Sequence, residues 1–182
     1  VKRSFDTVLA VKNNLLVMID QSLACVKKTR NQYIRAEGDI GPLIRETVEE
    51  ISCQKHIKGK DIRLHIDSDV KKGWFNALDV KRVLQNLLIN AGYVTEKKGR
   101  IDVHVKDLND MIQVSVQDYG AGIPDEVKPI LLKESFTTKV EGNGFGLTSC
   151  REIIEEFQHG KIWFESEVGK GTTFYFTLPH SN

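Results

Sequence analysis

Two asparagines four residues apart, Asn86 and Asn90, lie in the run Asn86-Leu87-Leu88-Ile89-Asn90-Ala91. On a helix that spacing puts both amides on one face. There their carbonyl oxygens can serve Mg²⁺, a hard cation that takes oxygen ligands and completes its shell with waters and phosphates. Taken alone, the pair is equally explained as two solvent-facing amides. A second cluster, Asp118-Tyr119-Gly120-Ala121-Gly122-Ile123, joins a carboxylate able to accept a hydrogen bond from an exocyclic amine such as adenine N6 to glycines that let a planar base approach the backbone. In a third, Phe136-Thr137-Thr138-Lys139 precedes Gly142-Asn143-Gly144-Phe145-Gly146-Leu147, which leads into a helical pattern. Free N–H groups in a glycine-rich stretch at a helix N-terminus suit phosphate. The fourth, Gly169-Lys170-Gly171-Thr172-Thr173-Phe174, has a hairpin turn as its simplest explanation.

The elements that must position these clusters follow from hydrophobic spacing. From Phe5 to about Tyr33 there is no Gly or Pro, and Phe5, Val8, Leu9, Leu15, Leu16, Ile19, Leu23 and Val26 recur with helical period. This predicts one long amphipathic helix whose stripe needs a partner, as in a bundle or coiled coil. A second helix is predicted from the N-cap Asp39 to about Gln54, and a third from about Leu78 to Tyr93. Ile62, Leu64 and Ile66 alternate with polar residues as a strand, and Ile101–Asp107 with Met111–Asp118 form a hairpin about Leu108-Asn109-Asp110. A short helix is expected over Pro124–Leu132 and a longer one over Gly146–Gln158. Lys161–Glu167 and Thr172–Leu178 then close the chain as another hairpin. The mixture implies an α+β architecture, helices layered on one face of a mixed sheet.

Composition narrows the function classes. The 182 residues carry 26 Lys+Arg against 25 Asp+Glu, a formal net charge of +1, with 40% hydrophobic residues. Wholesale disorder is excluded, and there is no global basic surplus of the kind nucleic acid demands; a local excess before Ala36 is explained by a solvated helix face. The longest apolar run, Leu15–Ile19, is far short of a membrane span. The expectation is a cytoplasmic chain without nucleic-acid or membrane contact, although a full-length protein containing it could be membrane-anchored. Cys25, Cys53 and Cys150 have no CxxC spacing and are expected to be buried reduced thiols.

Taken in order, the four clusters resemble the N box, the G1 box, the F and G2 boxes and the G3 box of the ATP-binding domain shared by sensor histidine kinases, gyrase-type topoisomerases, Hsp90 and MutL. The resemblance covers about Asp39 to Pro179 and is nearest to the two-component sensor histidine kinases, through the Asn86–Ala91 run, Phe136–Lys139 and the Gly160–Pro179 ending. It implies a Bergerat-type two-layer α/β sandwich over residues 37–182, preceded by a dimerisation helix over residues 1–36. ATP would lie between the third helix and a lid at about Leu131–Phe145. Asp118 would read adenine, with Gly120, Gly122 and Ile123 beside the base. Asn90 would be the principal Mg²⁺ ligand and Asn86 its support, the two forming the catalytic pair. Phe136, Thr138, Lys139, Gly142, Gly144, Phe145, Gly146 and Leu147 would fold over the triphosphate, and Thr172 would close the adenine pocket.

The same resemblance separates kinase from hydrolase. ATPases of the superfamily carry a glutamate four residues before the metal-binding Asn, and here that position is Asn86, which cannot act as a general base. ATP is therefore expected to be held for transfer of its γ-phosphoryl to a histidine upstream of Val1, and thence to an aspartate of a response-regulator receiver domain. Two departures stand out. Tyr93 occupies a place where many histidine kinases have a phosphate-contacting lysine, leaving Lys97, Lys98 or Lys139 to serve. All five histidines, His56, His65, His104, His159 and His180, fall in strand or loop contexts rather than in an acceptor setting, so the chain is not expected to phosphorylate itself. Residues 1–36 would form half of a homodimer's four-helix bundle. The alternatives are a nucleotide-gated interaction module without catalysis and a serine kinase of the anti-sigma type.

Overall fold

A computed structural model describes residues 34–132 and 145–181. The predicted helix over Phe5–Tyr33, and Phe136, Thr138, Lys139, Gly142 and Gly144, lie outside the described residues.

Strand β1 (Ala36–Gly38) leads into helix α1 (Ile40–Ile51). Asp39 caps α1, its Oδ1 accepting from the Gly41 amide at 2.9 Å, and Ile40, Ile44, Thr47 and Ile51 form the buried stripe. After β2 (Asp61–Ile66) and β3 (Gly73–Phe75) comes helix α2 (Ala77–Val94), capped by Asn76 through the Asp79 amide at 3.1 Å. Its buried face is Val80, Val83, Leu84, Leu87, Leu88 and Ala91. Strands β4 (Arg100–Leu108) and β5 (Met111–Asp118) form the predicted hairpin, with Asn109 at φ 30° in the turn. Helix α3 (Phe145–Arg151) runs on as a π-helical segment over Glu152–Phe157, where the Gln158 amide reaches the carbonyl of Ile153. Strands β6 (Ile162–Glu167) and β7 (Gly171–Pro179) complete the chain.

The main sheet has the order β2-β4-β5-β7-β6. Only β2–β4 is parallel, since β3 and α2 supply the crossover that a parallel pair requires. The α+β architecture expected from the sequence, with helices layered on a mixed sheet, is therefore what forms. Alternation divides the strands: Val103, Val105, Val114, Val116, Phe174 and Phe176 are buried in the core with α1, α2 and α3. The alternate residues, His65, His104, Gln117, Thr173 and Glu165 among them, occupy the other face.

Three expectations need correction. Pro124–Leu132 is a succession of turns, not a helix: Val127 bonds back to Pro124 and Ile130 to Val127, but Pro129 has no N–H and its ring would clash with the carbonyl of Asp125. Cys53 is exposed just beyond α1, whereas Cys150 is buried as expected. The Glu37-Gly38 stretch is not merely a break, because β1 pairs antiparallel with β3 in a small second sheet, Glu37 opposite Trp74. Strands of three residues are too short to show a period of two.

Candidate functional site

The site begins with the register of β5 and β7, which sets Asp118 opposite Thr172. Asp118 follows Val114 and Val116 on the helix-covered face and is 3% exposed. Its Oδ1 accepts from the amides of Gly120 at 2.9 Å and Thr172 at 3.2 Å; Oδ2 takes no hydrogen bond from the described residues. Burial pushes the carboxyl above its ordinary range, and the two amides pull it back. One oxygen is thus fixed by backbone while the other remains to accept from a ligand.

The glycines around Asp118 have structural reasons of their own. A Cβ on Gly120 would lie 2.6 Å from the Val94 carbonyl at the end of α2. Gly122, at φ 72°, passes so close to the β6–β7 hairpin that a Cβ would meet the Glu167 carbonyl at 2.2 Å. Gly171, at φ 104°, would press one against the carbonyl of Asp118 itself, at 2.1 Å. These approaches draw α2, the turn after β5 and the last hairpin into one knot around the carboxylate. Ser166, to which sequence reasoning attached no role, ties that knot. Its hydroxyl accepts from the Ile123 amide at 2.8 Å, donates to the Gly171 carbonyl at 3.0 Å and lies 2.9 Å from the Thr172 hydroxyl. Only the Ser166–Thr172 register could have revealed it. A cleft of about 300 Å³ is lined by Asp118, Ser166, Thr172, Gln117 and Lys170, among others.

On α2, Asn86 and Asn90 are both half-buried and share a face. The Asn86 Nδ2 donates to the Cys150 thiol at 3.6 Å, and its Oδ1 lies 3.9 Å from where a Cβ on Gly146 would stand. The amide oxygen is therefore presented to the first turn of α3. Burial pushes the Cys150 thiol up to about 12, so it remains protonated. Leu147 packs, half-buried, against the core, as does Ile123. Tyr93 is stacked on His56 with ring centroids 3.7 Å apart. Asp118, Gly120, Gly122, Ile123 and Thr172 are thus gathered at one end of the sheet beside the C-terminus of α2, while Asn86 and Gly146 meet further back on the same helix. The amide oxygens of Asn86 and Asn90 are hard ligands of the kind Mg²⁺ takes alongside waters and phosphates, so the donor set is compatible with the chemistry expected from sequence. Among the described residues, no three His, Cys, Asp or Glu side chains are grouped to hold a metal by themselves.

Residues 75–182 match the histidine kinase-, DNA gyrase B- and HSP90-like ATPases. The chain belongs to that family. It is 31% identical over 176 residues to sporulation kinase E of Bacillus subtilis (strain 168), covering 96% of this chain and 23% of the relative. Among solved structures, a nucleotide-free catalytic domain of histidine kinase ThkA is similar at a TM-score of 0.73 and 32% identity, over 82% of this chain and 99% of that one. ThkA in complex with response regulator protein TrrA aligns at a TM-score of 0.71 and 27% identity, over 93% of this chain and 49% of ThkA. The resemblance drawn from the four clusters is borne out, as is the fold it implied. The chain spans less than half the length of the curated relatives it matches.

Proposed function

We propose that the chain is the ATP-binding kinase core of a two-component sensor histidine kinase, which holds Mg-ATP for transfer of its γ-phosphoryl group to a histidine and thence to a response-regulator aspartate. The observation that carries this reading is Asp118 buried with one oxygen fixed by the Gly120 and Thr172 amides, beside a helix that presents Asn86 and Asn90. Asp118 accepts from the adenine amine through Oδ2. Gly120, Gly122 and Ile123 form the backbone wall beside the base, and Thr172 with Ser166 closes the sheet side. Asn90 and Asn86 offer carbonyl oxygens to the metal, and the first turn of α3 at Gly146 and Leu147 offers amides to phosphate. The bound Mg-ATP supplies the phosphoryl group and neutralises its charge, so the protein's part is chiefly positioning.

No carboxylate occupies the position of Asn86, so water is not activated there and hydrolysis is slow. The five histidines have other engagements or settings. His56 stacks on Tyr93, His65 on His104, His180 lies 3.2 Å from Asp107, and His159 stands in a turn at φ 60°. The acceptor is then a histidine on a separate helix, with residues 1–36 as its dimerisation partner. The test is incubation of the chain with γ-labelled Mg-ATP and a supplied helical fragment bearing a histidine. Acid-labile label on the fragment, lost in Asn90→Ala, supports the kinase; ATP binding with no transfer to any acceptor favours the nucleotide-gated module, and acid-stable label on a serine favours the anti-sigma type.

A further inference from the structure

Asp118 and Tyr119 are consecutive and point to opposite faces of the sheet. While Asp118 is buried toward the helices, Tyr119 folds over the other face, 43% exposed. Its hydroxyl donates to Asp102 Oδ2 at 2.5 Å and accepts from the Arg100 guanidinium, which also sits 4.5 Å from the centre of its ring. Arg100 Nε in turn lies 2.9 Å from the same Asp102 oxygen. Asp102 is a 3% exposed carboxylate on the face of the sheet away from the helices, and its other oxygen, Oδ1, is buried without a hydrogen bond. The nearest cation-forming group to that oxygen is His65, whose Nε2 stands 3.7 Å away, within ion-pair reach but too far for a good hydrogen bond. The His65 ring stacks on His104 across the β2–β4 register, centroids 4.5 Å apart.

We propose that Tyr119 is a positioning residue for the base-reading turn, clamped by Asp102 and Arg100 from the far side of the sheet. The inference rests on the nucleotide-binding reading of Asp118. A tyrosine fixed at both ring and hydroxyl immobilises the backbone between Asp118 and Gly120, and the Gly120 amide is one of the two donors that fix Asp118 Oδ1.

The test is Mg-ATP affinity by calorimetry for the 182-residue chain and for Tyr119→Phe and Asp118→Asn, with thermal unfolding of every variant. Tyr119→Phe should weaken binding about three- to tenfold, the effect of a lost hydrogen bond, while still unfolding cooperatively. Tyr119→Phe with parental affinity, even at a lowered melting temperature, overturns the positioning role. Parent binding that Asp118→Asn abolishes keeps the nucleotide site whatever Tyr119 does; no binding by the parent overturns the site and this inference together.

Discussion

Asp118, the carboxylate proposed to read the base, shows the cost of desolvating a charge. Burial raises its pKa above the ordinary value, so the acid form is more favoured in the folded chain than in the unfolded one. The sign follows directly: a raised acid pKa contributes stability below the unfolded value of about 3.9, and that contribution is lost as pH rises through the folded pKa. At neutral pH the ionised side chain therefore destabilises the fold. Asp118→Asn should melt no lower than the parent at pH 7 while losing about 1.5–3 kcal/mol of ATP binding, the range for a hydrogen bond to a charged group; calorimetry and thermal unfolding on the same samples check both halves. The cysteines offer a second residue-scale test. With its thiol pushed up to about 12 under Asn86, Cys150 should resist alkylation in the native state at pH 8, whereas exposed Cys53 reacts; mass spectrometry of modified peptides before and after unfolding would show it. Sequence spacing singled out Asp118, Asn86 and Thr172 as candidates, since each stands in a short cluster of unusual composition. Ser166, Asp102 and Cys150 were illegible as partners because their neighbours are 6, 17 and 64 positions away and only pairing or helix packing unites them.

At the scale of elements, the glycines divide into those the fold needs and one it does not. Gly122→Ala and Gly171→Ala place a Cβ within 2.2 Å and 2.1 Å of backbone carbonyls at positive φ, so each should cost at least about 2 kcal/mol in chemical denaturation. Gly146 is different: among the described residues only Asn86, at 3.9 Å, is near its absent Cβ. Gly146→Ala should therefore leave the denaturation midpoint unchanged or raise it, and lower ATP affinity if phosphate passes over the first turn of α3. Unchanged affinity would remove that turn from the site. The long elements were legible because apolar residues recur over several turns or along whole strands: α2 runs from Ala77 to Val94, one residue beyond the expected Leu78 and Tyr93 at each end. The segment after Pro124 misled because its composition suits a helix up to Pro129, where the missing N–H and ring clash end it. Strands β1 and β3 carried no signal, being held by one another and by the Gly73–His180 bridge rather than by a period.

For the whole molecule, the sheet serves as a platform read from both sides. The helix-covered face carries Asp118 to the end of α2. The opposite face carries Tyr119, Asp102 and the paired histidines. On the proposed reading, the domain binds ATP and the acceptor is brought to it, so transfer should depend on the concentration of the supplied histidine helix while ATP affinity does not. Among the described residues no helix is long and apolar enough to cross a membrane. The claim on which all else depends is the nucleotide site at Asp118. The most direct measurement is calorimetric titration of ATP into the chain, with and without Mg²⁺, beside Asp118→Asn. Binding that strengthens with Mg²⁺ and falls at least about tenfold in the variant is the predicted result. Absence of binding, or equal binding by Asp118→Asn, would contradict it.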